Sequence, residues 1–110
     1  MSDIVTVYAT FASEEEALRI ARTLIEERLA ACANLLAPCR SLYRWEGKIE
    51  DAAEHPALFK TAADKAQALI TRLAELHSYD VPAAVVWPIG DAHPPYEQWV
   101  RDETASQTQR

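Results

Sequence analysis

The sequence predicts an α+β fold of the ferredoxin-like, split βαβ kind: βαββαβ followed by a short C-terminal helix. Three observations carry this. Two apolar stretches at helical spacing each sit between strand-like runs, and two strand segments meet at Gly47. The 110 residues have room for one core, so 1–110 is read as a single domain.

Ile4-Val5-Thr6-Val7-Tyr8-Ala9-Thr10-Phe11 is rich in β-branched and aromatic residues and reads as a well-buried strand. Ser13 follows as an N-cap with Glu16 three residues on, a capping box, and Glu14, Glu15 and Glu16 suit the helix dipole. Ala17, Ile20, Ala21 and Leu24 then repeat at helical spacing, and this helix is expected to end near Ala30. Cys32 to Leu36 returns to strand character. Pro38 interrupts it, and Ser41 to Trp45 resumes it with Tyr43 and Trp45 on one face and Leu42 and Arg44 on the other. A proline inside such a run suggests a bulge or a bend at a sheet edge.

Gly47 supports a turn, and the returning strand begins at Lys48 and is clearest from Ala57 to Thr61. Asp64 is placed to cap a second helix, in which Ala66, Leu69, Ile70, Leu73, Leu76 and His77 share a face. Pro82 bars its continuation. Ala83 to Trp87 is a further strand, and Pro94-Pro95 opens a terminal helix carrying Tyr96, Trp99 and Val100. Residues 106–110 are a polar tail expected to fray. With both helices on one sheet face, the other is left with aromatic and Val residues that one chain cannot cover. A homo-oligomer follows from that pattern.

Several of these segments together carry a family resemblance. The strand Ala31-Cys32-Ala33-Asn34, the hairpin Ser41-Leu42-Tyr43-Arg44-Trp45-Glu46-Gly47-Lys48-Ile49, the Phe59-Lys60-Thr61 run and the exit Leu76-His77-Ser78-Tyr79-Asp80-Val81-Pro82 resemble, in order and spacing, the CutA-type divalent-cation tolerance family. The resemblance runs from about Ile4 to Trp99. It implies a ferredoxin-like subunit that assembles as a homotrimer, with the hairpin reaching across to a neighbour's sheet. It also implies a cytoplasmic protein linked to tolerance of copper and other divalent cations, and able to bind copper. The implied trimer is similar to that of nitrogen-regulatory signalling proteins, but a shared fold does not transfer a ligand. Ser78 stands where the family often has proline, and Asp80 where it often has glutamate. His55-Pro56 falls where the family more often runs apolar, which suggests an edge or a bulge there.

For metal, Cys32 is the sharpest candidate, because a thiolate is a soft ligand suited to reduced copper. The alternative is a small buried strand residue, which free cysteine commonly is. Cys39 is a weaker candidate, its convergence with Cys32 depending on a bent strand. His77 offers an imidazole and Asp80 a carboxylate leaving the same helix; a histidine at a helix end can equally bond free carbonyls. Tyr43, Trp45, Glu46, Lys60, Tyr79 and Trp99 are candidates for a cleft or interface between subunits.

Enzyme readings lack support. With only Gly47 and Gly90 there is no Gly-rich phosphate loop, and no triad can be argued from order or spacing. The acidic segment after the first strand disfavours the anion chemistry of acylphosphatases, which share the fold. A formal net charge of −6 disfavours nucleic acid. No organic cofactor is indicated, and no stretch approaches the roughly 20 apolar residues of a membrane span. The N-terminus lacks the marks of a secretory signal and two cysteines make no disulfide framework, so a cytoplasmic protein is expected. The other function class left open is a trimeric signalling or scaffold protein that binds a small molecule or partner at clefts between subunits.

Overall fold

A computed structural model describes residues 2–105; the polar tail at 106–110 lies outside them. The elements are β1 (Ile4–Phe11), α1 (Glu14–Glu26), β2 (Cys32–Leu35), β3 (Cys39–Trp45), β4 (Lys48–Ala62), α2 (Ala66–Leu76), β5 (Ala84–Pro88) and α3 (Pro94–Glu103). The sheet order is β2-β4-β1-β5, with β3 extending β4 into a long hairpin. All pairings are antiparallel, as the predicted ferredoxin-like fold requires.

Strand alternation sorts the sheet into two faces. Val5, Val7, Ala9 and Phe11 of β1 and Ala57 and Phe59 of β4 face α1 and α2, whose Ile20, Leu24, Leu69 and Leu73 are fully buried against them. The other face carries Tyr8, Lys60, Val85 and Trp87. Its Ile4 end is capped by Val100 of α3 with Ala31 and Ile89. Tyr8 and Trp87 stack on the bare part, with centroids 4.9 Å apart, and Val85 and Trp87 each keep nearly half their surface exposed. No helix among the described residues is long and apolar enough to cross a membrane.

The break at Pro38 is a bulge. Leu35 pairs with Ala57 and Cys39 with Glu54, so residues 36–38 stand opposite only two residues of β4. The extra residue moves the odd-numbered positions from the helix face in β2 to the bare face in β3. That is why Cys39, Ser41, Tyr43 and Trp45 share the side of Glu54. The expected irregularity at His55-Pro56 is not in β4, which runs unbroken and pairs with β1 there. The Pro56 carbonyl accepts from Leu36 N–H at 3.0 Å. A strand residue's N–H and C=O point the same way, so the N–H that Pro56 lacks would have faced the bulge.

Three local expectations are corrected. First, α1 stops at Glu26 rather than near Ala30, because Arg28 turns left-handed (φ 62). Arg28 N–H bonds Ile25 O and Leu29 N–H bonds Leu24 O, the two bonds of a Schellman motif. Second, the capping box is half made: Ser13 accepts from Glu16 N–H at 3.1 Å, but the Glu16 carboxylate goes elsewhere. Third, Asp64 does not cap α2; it lies in a 3-10 turn (63–65) that leads into it.

Candidate functional site

Where α2 ends, His77 leaves in an extended conformation and its ring packs inward. It stacks on Phe11 with centroids 5.0 Å apart. Its Nδ1 accepts from Tyr79 N–H at 3.0 Å, so Nε2 carries the proton and donates to Thr10 O at 2.8 Å. Both ring nitrogens are thereby used inside the subunit. Glu16 secures the next residue, accepting from Ser78 N–H at 2.7 Å and from its hydroxyl at 2.9 Å. Burial alone would raise the Glu16 carboxyl, but the bonds from the Ser78 N–H and hydroxyl outweigh it and hold the carboxyl below its ordinary value.

This anchoring aims Tyr79 at the hairpin. Its hydroxyl donates to Glu54 Oε2 at 3.0 Å. Burial, then the bond to Glu54, pushes the Tyr79 hydroxyl up to about 12. Between the hairpin and segment 79–83 lies a cleft of about 500 Å³ whose lining includes Thr10, Tyr43, Trp45, Glu54, Tyr79 and Asp80. Glu54 is 9% exposed, and among the described residues only its Oε2 is bonded. The cleft surface is acidic and aromatic together.

Tyr43, Trp45, Tyr79 and Asp80 are therefore brought together, while the other candidates lie apart. Glu46 is in the two-residue turn between Trp45 and Lys48, with φ positive at both Glu46 and Gly47. Lys60 reaches Asn34 Oδ1 at 3.5 Å in mid-sheet. Trp99 packs beside Tyr96 on α3, at the Ile4 end of the sheet. Cys32 is on the bare face, its Sγ 3.4 Å from the Tyr96 hydroxyl, whereas His77 is among the helices, so the two do not meet in one subunit. Cys39 does not join Cys32 either. Their β4 partners Glu54 and Lys60 are six residues apart, roughly 20 Å along a strand. Among the described residues, no three His, Cys, Asp or Glu are grouped to hold a metal.

Sequence reasoning missed Glu54, Glu16 and Thr10. The alternation of β3 against β4 could have placed Glu54 on the same face as Tyr43, had the bulge at 36–38 been fixed first. Nothing local marks Glu16 as the partner of Ser78, 62 positions away.

These features define a class: a ferredoxin-like subunit, bare on one sheet face, with a long hairpin and an acidic aromatic cleft along it. The family model described as CutA1 divalent ion tolerance protein matches residues 5–103, and the chain belongs to that family. The divalent-cation tolerance protein CutA of Pyrococcus horikoshii is 44% identical over 101 residues, covering 92% of this chain and 98% of that protein. The crystal structure of CutA from Xylella fastidiosa superposes with a TM-score of 0.91 at 39% identity, over 94% of this chain and all of that one. A protein of Archaeoglobus fulgidus, described as a periplasmic divalent cation tolerance protein CutA, gives a TM-score of 0.89 at 35% identity over 93% of this chain and 99% of that one.

Proposed function

We propose that this chain is a divalent-cation tolerance protein that acts without catalysis, as a homotrimer binding copper or a related divalent cation weakly and reversibly. The observation that carries the metal reading, beside the family, is Cys32. It is a free, partly exposed thiol on the bare sheet face, a soft donor suited to reduced copper. Among the described residues no three ligands are grouped, so capture rests on few donors, which favours reversible binding, or on donors from two subunits. Asp80 is free to contribute a carboxylate at the cleft. His77 can join only by giving up Thr10 or Tyr79. The trimer is supported by the bare face around Trp87 and by Leu42 and Ile49, about 70% exposed on the hairpin.

Equilibrium dialysis with copper tests this. Cys32→Ala is expected to lose most of the binding and His77→Ala to keep it; binding unchanged in Cys32→Ala removes the site. We also propose a cytoplasmic location, on its two free thiols. Fractionation decides this, since the Archaeoglobus relative is described as periplasmic.

A second reading, a trimeric signalling or scaffold protein with a small-molecule site, is favoured by one observation. The cleft beside Tyr79 falls within the 300–1,000 Å³ typical of ligand sites and combines rings with a few polar groups. A metabolite panel read by thermal shift tests it: a protein stabilised by copper and indifferent to every metabolite counts against it.

A further inference from the structure

We propose that the cleft along the hairpin binds a compact organic ammonium ion, with Glu54 as its anionic anchor. The proposal rests on the second reading above, that the cleft is a small-molecule site, and names the ligand class.

The charge balance comes first. Glu54 is 9% exposed, and its one hydrogen bond is from the neutral Tyr79 hydroxyl to Oε2. Among the described residues its Oε1 has no partner, and it opens on the cleft. A nearly buried carboxylate without a cation is costly, because it gives up water for incomplete compensation. Among the described residues no such cation faces it: the lining holds two carboxylates, Glu54 and Asp80, and no Lys, Arg or His. The nearest hairpin arginine, Arg40, is on the opposite face, where it is committed to Asp51 by two bonds of 2.9 and 2.7 Å.

The rest of the wall narrows the choice. Tyr43, Trp45 and Tyr79 contribute rings, and much of the remainder is apolar. A hard divalent ion is held chiefly by clustered carboxylates, and among the described residues no three such ligands are grouped here. An alkylammonium carries its charge on an apolar body, and aromatic rings attract such a cation while covering its methyl groups. A neutral molecule would fill the space and leave Glu54 uncompensated.

Isothermal titration of the intact protein with choline, and with its neutral isostere 3,3-dimethylbutan-1-ol, tests the proposal. Choline is expected to bind at least about tenfold more tightly than the alcohol. Glu54→Gln is expected to reduce choline to the alcohol's level with an unchanged far-ultraviolet dichroism spectrum. If Glu54→Gln does not fold, the exposed Asp80→Asn replaces it, with an expected loss of about two- to fivefold. Equal affinity for choline and the alcohol overturns the ammonium assignment and leaves the cleft a ligand site. Heat from neither overturns both. Undiminished choline binding in the folded variant places the cation elsewhere and overturns the proposal.

Discussion

The Tyr79 hydroxyl and Glu54 Oε2, 3.0 Å apart, tie the exit of α2 to the base of the β3–β4 hairpin. Tyr79→Phe removes the one donor to this carboxylate among the described residues while keeping the ring. A loss of about 1–3 kcal/mol is expected from leaving that acceptor short of a partner. Urea unfolding measures it, and an unchanged midpoint would mean that Glu54 is satisfied by solvent.

His77 is assigned here to structure before metal. His77→Ala deletes a ring stacked on Phe11 and its bonds to Thr10 O and Tyr79 N–H. Destabilisation of about 2–4 kcal/mol is expected, from the cavity and the orphaned backbone groups together. Copper uptake by the folded fraction should stay at the wild-type level. A stable variant that has lost copper would reverse the assignment.

Acid should act through Glu16. Its folded carboxyl lies below the ordinary value of 4.5, so folding is favoured whenever the group is ionised. The contribution is present above the unfolded pKa and is lost as pH falls through the lower folded one. Thermal melts between pH 6 and about 3 should show wild type losing more stability than Glu16→Gln, whose curve is flatter over that range. Parallel curves would remove Glu16 as a source of the acid dependence.

Trp87 marks the bare face. Trp87→Glu puts a charge where Tyr8 and Trp87 stack, and burying it against a second copy would be costly. Light scattering should show wild type at three times the subunit mass and the variant shifted towards one. A wild-type monomer would refute the trimer, and a variant trimer would move the interface off this face.

The fold was legible because its signals are local and agree with one another. The β-branched run at Ile4–Phe11, the helical stripe from Ala17 to Leu24 and the prolines at 82, 94 and 95 each point to one element. The errors fall where tertiary contacts override local rules. Ser13 and Glu16 spell a capping box, but a partner from beyond α2 takes the carboxylate. Arg28 ends α1 in a conformation that favours glycine. The site was half legible: Tyr43, Trp45, Tyr79 and Asp80 converge as a group, whereas Glu54 depends on a one-residue bulge between β2 and β3. Cys32 and His77 are each metal candidates by residue type, and a sequence does not show that they lie on opposite faces of the sheet.

The most direct test of the account is an anomalous-difference map from a crystal soaked in copper under reducing conditions. Density beside Cys32 Sγ, with the His77 ring still bonded to Thr10 and Tyr79, is the predicted result. Density at His77 with none at Cys32, or no ordered copper at all, would contradict it.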